Sequence, residues 1–198
     1  MRVDGRDYWR CGACEATWVD PRHWLDEESE AAHYRLHRND PADRAYRHFL
    51  SRVTQPLLQR LAPGARGLDY GCGPGPALAA MMEEAGHTMA LYDPLFAPCS
   101  EALKKQYDFI TCTEVAEHFR QPAQEFGRLH ALLRPGGWLG LMTTFMVEDE
   151  AFARWHYRRD PTHIVFYRPA TFGLLARRHG WVCEFPAANV VLLHKEGP

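Results

Sequence analysis

No apolar stretch of this 198-residue chain reaches the roughly 20 residues that a helix needs to cross a bilayer. Met1-Arg2-Val3-Asp4-Gly5 lacks the apolar centre of a signal peptide, so no secretory leader is expected there. Charge of neither sign dominates. Against 23 Lys and Arg stand 25 Asp and Glu, a net charge of −2, which implies no broad basic surface for nucleic acid. Cysteine is sparse: six residues are scattered, and only one pair has C-x-x-C spacing. That argues against a disulfide scaffold and for a reducing, cytoplasmic setting. There is no internal repeat and no low-complexity tract. These absences leave a small-molecule partner, with no membrane or nucleic-acid role, and they are silent on oligomeric state. What is present is a hydrophobic content of 46%, enough for one packed domain with a modest extension.

The densest signal is Gly67-Leu68-Asp69-Tyr70-Gly71-Cys72-Gly73-Pro74-Gly75-Pro76, followed by a helix-patterned stretch from Ala77 to Ala85. It reads as a strand, a tight turn and the start of a helix. Glycines at 71, 73 and 75 let the backbone turn sharply and come close to a ligand. The N–H groups of the following helix point at the same place. The G-x-G-x-G spacing differs from the G-x-G-x-x-G of dinucleotide folds. Asp69 sits just before the first glycine, where it would repel a phosphate and suit a ligand with a positive end.

On these residues the chain resembles the class I S-adenosylmethionine (SAM)-dependent methyltransferases. Leu68–Gly75 is similar to their first motif, and Leu91-Tyr92-Asp93 to the acid that ends their second strand. Tyr107–His118 resembles the fourth-strand motif, and Leu132–Gly137 the turn into the fifth strand. The resemblance covers roughly residues 60 to 195 and implies an α/β fold with a doubly wound, mostly parallel sheet. It implies SAM as cofactor and S-adenosylhomocysteine (SAH) as product. It also implies roles for particular residues: Asp69 and Gly71, Gly73 and Gly75 around the amino-acid end, and Asp93 against the ribose hydroxyls. Pro94, Phe96, Thr113, Glu114 and His118 would lie along the cofactor, and Tyr34 and His37 would line a lid contributed by an N-terminal helix.

One departure stands out. Family members usually place a helix, a third strand and a loop between the second strand's acid and the fourth strand, about 30 residues or more. Only residues 94–106 are available here. The third strand is therefore expected to be reduced or missing, with Leu95 and Phe96 as the nearest apolar groups for the adenine.

Elsewhere, residues 1–25 read as irregular and aromatic-rich, with Cys11-Gly12-Ala13-Cys14 as half of a zinc site. His33 and His37, four apart on one helix face, are the candidate second half; two reduced thiols in a small knuckle are the alternative. Residues 26–38 form a helix with acids first and bases last. A second helix starts near Asp43, and Pro56 is expected to kink or restart it. Residues 1–60 thus make an N-terminal knuckle and helical lid, and 61–198 the cofactor-binding domain. Within the latter, residues 145–168, dense in aromatics, histidine and arginine, read as a substrate-side insertion. The fifth strand is expected from Trp138 to Thr144, and the last helix from Pro169 to Gly180, before a terminal antiparallel pair.

The function expected is direct methyl transfer to a small molecule, with His118, His156 and His163 as candidate bases if the acceptor must lose a proton. A non-catalytic protein binding cofactor or partner on the same fold is the first alternative. A nicotinamide-dependent oxidoreductase is the second, and Asp69 argues against it.

Overall fold

The computed structural model describes residues 1–36, 39–146 and 148–197. Three short strands come first: β1 (Arg2–Val3), β2 (Arg6–Arg10) and β3 (Thr17–Val19). Helices α1 (Glu27–Tyr34) and α2 (Arg44–Leu58) follow, each opened by an aspartate. The Asp26 carboxylate accepts from the Ser29 N–H, and that of Asp43 from the Ala45 and Tyr46 N–H groups, which satisfies donors the helices leave open. Then come β4 (Arg66–Tyr70), α3 (Ala77–Glu84), β5 (Thr88–Tyr92) and β6 (Tyr107–Thr113). The chain continues through α4 (Pro122–Leu132), β7 (Leu133–Met142), α5 (Asp149–Phe152), β8 (Val165–Phe166) and α6 (Pro169–His179). It ends in the hairpin of β9 (Trp181–Ala187) and β10 (Val190–Lys195).

The main sheet has the order β5-β4-β6-β7-β10-β9. The first four strands are parallel, and β10 joins β7 antiparallel. Both faces are covered, which is why β6 reads as an almost unbroken apolar run. On β10, Val190 and Leu192 pack on one face with Leu50, Val53 and Leu57 of α2 and with Leu78 and Met82 of α3. Val191 and Leu193 point the other way, toward Phe126 and Leu129 of α4 and Phe172 of α6. That alternation is the period-2 signature of a strand buried on both sides.

After β4 the chain steps to β5 on one side, then crosses to β6 on the other. A crevice opens at such a switch point, outside the carboxyl ends of the strands. As expected from the count of residues, β5 is the sheet edge. Residues 94–106 hold a single bridge between Asp93 and Ala97 and a 3-10 turn at Ser100–Lys104, and no strand. Ala102 buries there and its carbonyl accepts from the Tyr107 hydroxyl at 2.8 Å, fixing the short connection to the start of β6.

Several expectations are corrected. The first 25 residues are not irregular: β1, β2 and β3 form a second sheet, completed by β8 from the 145–168 segment. That segment therefore packs mainly on the N-terminus. Phe152 stacks edge-on with Tyr8 at 5.0 Å and with Phe166 at 5.4 Å. The N-terminal unit and the insertion thus share a core instead of forming separate parts. Pro56 neither ends nor restarts α2. It lies within the last turn, and the helix closes two residues later. Finally, β7 begins at Leu133, earlier than expected, because Leu133 pairs with Tyr107 before the register shifts around Pro135-Gly136-Gly137, and it stops at Met142.

Candidate active site

A cleft of about 800 Å³ opens at the carboxyl ends of β4, β5 and β6. Its floor is the glycine turn. Gly71 has φ +80 and its N–H donates to the Tyr92 carbonyl at 2.7 Å; Gly73 has φ +64. A Cβ on Gly71 would press into Val115, lying 2.8 Å from its Cγ1. Gly75 plays a different part from the one expected. It is not in the cleft wall, and a Cβ there would overlap the carbonyl of Asn39, 2.7 Å from its carbon. Gly75 makes room for the segment that follows α1, and that segment in turn brings Asn39 into the cleft lining.

Two acids flank the turn. Asp69 is 3% exposed, and its carboxylate accepts from the Thr111 hydroxyl at 2.8 Å. Burial pushes its pKa up to about 6; the Thr111 hydrogen bond opposes this and the nearby Asp93 adds to it. Asp93 is held by three backbone donors: Gly73 N–H at 3.1 Å on Oδ2, and Leu95 and Phe96 N–H at 2.8 and 2.9 Å on Oδ1. It is therefore a turn-capping residue that also lines the cleft. Pro94, Leu95 and Phe96 line the adjoining wall.

The opposite wall comes from the end of β6 and from the insertion. Thr113, Glu114 and His118 line it, joined by Asp160 and His163. Glu114 adopts φ +52, unusual for a residue with a side chain, and it turns toward Tyr157. The Tyr157 hydroxyl donates to Glu117 Oε1 at 2.5 Å and also sits 3.3 Å from Glu114 Oε2. Burial raises the pKa of both acids, that of Glu114 to about 8 with repulsion from Glu117 as the second cause. His118 Nδ1 lies 2.9 Å from the Thr162 carbonyl, and His163 Nδ1 lies 2.7 Å from that of Tyr157. A carbonyl only accepts, so each Nδ1 carries a hydrogen. Burial holds the His163 pKa below its usual value, which keeps the ring neutral near pH 7.

Helix α1 closes the top. Tyr34 lines the cleft, its ring 5.3 Å from that of His118 and its hydroxyl donating to Glu30 at 2.9 Å. His37 lies outside the described residues. His33 meets the Asp160 carboxylate at 3.4 Å instead of the cysteines. Cys11 and Cys14 sit in the loop between β2 and β3, and among the described residues no third metal-ligand side chain converges on them.

The structure thus brings together Tyr34, Asp69, Gly71, Gly73, Asp93, Pro94, Phe96, Thr113, Glu114, His118 and His163. It leaves out Gly75 and His156. His156 is exposed and lies off the cleft, because the 3-10 turn at His156–Arg159 buries Tyr157 and Arg158 and so turns its first residue outward. Sequence reasoning placed Tyr157 and Asp160 only among the residues of the 145–168 insertion, without a role of their own, and the structure puts Asp160 in the cleft lining. The available signal was Asp160-Pro161-Thr162-His163, in which the aspartate accepts from the Thr162 N–H at 2.9 Å and so shapes the turn that presents His163.

Among the described residues, six carboxylates line the cleft (Glu30, Asp69, Asp93, Glu114, Glu125 and Asp160) against two guanidiniums, Arg120 and Arg128. Both guanidiniums are already engaged, with Glu30 and Glu125. Of the rest, Asp160 meets His33 and the raised pKa of Glu114 leaves it largely uncharged near pH 7, so Asp69 and Asp93 are the acids that suit a ligand with a cationic centre.

Residues 42–184 match the model of a methyltransferase domain family. The ubiquinone biosynthesis O-methyltransferase of Leptothrix cholodnii is 30% identical over a stretch covering 40% of this chain and 44% of that one, under half of the relative's length. Among solved structures, the 1,6-didemethyltoxoflavin-N1-methyltransferase of Burkholderia thailandensis, with 1,6-didemethyltoxoflavin and SAH bound, is similar in fold. Its TM-score is 0.55 at 15% identity, covering 96% of this chain and 99% of that chain. An O-methyltransferase family protein, also from Burkholderia thailandensis, gives a TM-score of 0.52 at 16% identity, covering 87% and 63%.

Proposed function

The chain belongs to the methyltransferase-domain family of SAM-dependent enzymes, and from that premise we propose that it moves the sulfonium methyl group to a small-molecule acceptor. The observation that carries this reading is the acidic wall around the glycine turn. Asp69 and Asp93 stand on either side of it with no arginine partner among the described residues, across the cleft from His118 and His163. SAM supplies an electrophilic methyl carbon on a positively charged sulfur. The residues present fit it: Asp69 suits the ammonium of its amino-acid end, the open backbone at Gly71 and Gly73 suits close approach, and Asp93 suits the ribose hydroxyls. With the third strand missing, Leu95 and Phe96 are the apolar groups left for the adenine.

The chemical step is a displacement. A lone pair of the acceptor attacks the methyl carbon, the C–S bond breaks, and its electrons stay on sulfur. The protein's part is alignment; positioning alone is worth effective molarities of about 10⁵ M or more. If the acceptor atom carries a proton, His163 faces the cleft as a neutral imidazole able to take it, with His118 beside it in the lining. The volume of about 800 Å³ and the lid from α1 favour a small acceptor beside the cofactor over a polymer.

The test follows SAH release from SAM with small phenols, amines, heteroaromatic compounds and extracted metabolites, against RNA and protein as acceptors. Release with small molecules supports the assignment. Release only with polymers overturns the acceptor class, and binding with no release on any pool overturns catalysis in favour of a cofactor-binding role.

A further inference from the structure

We propose that Glu117, His118 and His163, with Glu114 beside them, form a binding site for a first-row divalent transition-metal ion in the cleft wall. One ligand atom from each of the first three residues lies within 4.8 Å of the others. Ligands around a shared ion at about 2.0–2.2 Å stand up to about 4 Å apart, so closing on one requires shifts of under about an ångström.

The tautomers are already set for it. Both imidazoles give their Nδ1 hydrogen to a backbone carbonyl, at 2.9 Å for His118 and 2.7 Å for His163. That is the outer-shell hydrogen bond that fixes and orients a metal-bound histidine. Both carbonyls come from the 145–168 segment, so the insertion's fold and the ligand geometry are one construction.

The carboxylates supply the second, independent observation. Glu117 is 0% exposed; Tyr157 donates to its Oε1, and its Oε2 is buried with no hydrogen-bond partner. Oε1 of Glu114 is buried in the same condition. The single hydroxyl hydrogen of Tyr157 cannot serve both acids, while Thr143 can donate its own hydrogen to the Tyr157 oxygen. Two carboxylate oxygens turned into a water-poor wall with no donor are costly, and a cation bound between them removes that cost.

The donor set also selects the ion. Two imidazoles with one or two carboxylates suit Zn²⁺, Mn²⁺, Fe²⁺ or Co²⁺, whereas Ca²⁺ and Mg²⁺ prefer oxygen throughout. The site stands on this geometry whether or not the chain transfers methyl groups. If it does, a consequence that rests on the proposed function follows. The cation would ligate an acceptor oxygen and lower its pKa in place of a histidine base, so the acceptor class narrows to hydroxyl compounds.

The experiment uses the full chain, stripped with chelator and titrated with Co²⁺ alone, followed by visible d–d absorption and calorimetry. One Co²⁺ per chain is expected. Glu117→Gln and His163→Ala should weaken it on the order of 100-fold or more, beyond the loss typical of an outer-shell change. The Cys11→Ser/Cys14→Ser variant and His156→Ala should bind as the wild type does. Absence of stoichiometric Co²⁺ in folded wild-type protein overturns the proposal, as does binding that survives both His118→Ala and Glu117→Gln or that vanishes with the cysteines. Circular dichroism shows whether each variant is folded, and the wild-type titration decides by itself if a variant is not.

Discussion

Replacing Asp69 by asparagine should stabilise the ligand-free protein while removing a pH dependence from cofactor binding. Asp69 is buried beneath the glycine turn with one hydroxyl donor, and its pKa sits at about 6 instead of the usual 3.8. The gap corresponds to about 3 kcal/mol at 1.36 kcal/mol per pH unit. The sign follows from linkage. An acid whose folded pKa is raised contributes most stability below 3.8, and loses it as pH rises through about 6. Near neutral pH the ligand-free protein therefore carries the cost of a buried, ionised group.

An ammonium about 4 Å away at an effective dielectric of about 20 contributes about 4 kcal/mol, enough to offset that cost. Asparagine keeps an oxygen for Thr111 and loses the charge. Urea unfolding of the ligand-free variant at about pH 7.5 should show a gain of roughly 1–3 kcal/mol that shrinks toward about pH 4. Calorimetry with SAH should show wild-type affinity falling about tenfold per pH unit below about 6, and a weaker, flat profile for the variant. A variant less stable than the wild type near neutral pH would refute the reasoning, as would wild-type affinity that stays constant down to about pH 5.

Other consequences can be checked by the same unfolding assay. Gly71→Ala should cost about 1–2 kcal/mol for a side chain at φ +80 and a further 1–3 kcal/mol for its overlap with Val115. Adding Val115→Ala should recover the second part only, and full recovery would show that the turn itself is unstrained. Phe152→Ala should cost about 3–5 kcal/mol, because the ring is 1% exposed at the centre of the contact between the small sheet and the insertion. Since Phe152 is not in the cleft lining, SAH affinity should be nearly unchanged, and a loss above about tenfold would mean that the small sheet governs the site.

The elements that recur locally were legible in the chain. Tyr107–Thr113 is a strand by its apolar run, and counting residues 94–106 was enough to remove the third strand. The positions of Asp69 and Asp93 at the strand tips were legible from the resemblance, whereas the three backbone N–H groups that Asp93 caps were not. The small sheet was hidden because β3 pairs with β8 nearly the whole chain away, and only Tyr8 of the five residues in β2 is buried. No periodicity announces such a strand. The role of Gly75 was misassigned for a related reason: the group it accommodates is the carbonyl of Asn39, which arrives from a different element. His156 and His163 looked equivalent in sequence, and only the 3-10 turn at His156–Arg159 separates an exposed imidazole from one that faces the cleft. Tyr157 was read only as one aromatic of the 145–168 insertion, because nothing in the sequence signals that its hydroxyl will be shared by two buried acids.

The most direct measurement is calorimetric titration of the purified full chain with SAM, with SAH and with NAD. The account predicts saturable binding of the two sulfur nucleosides at one site per chain, competitive with each other, and no binding of the dinucleotide. Folded protein that takes up neither SAM nor SAH, or that prefers NAD, would contradict it.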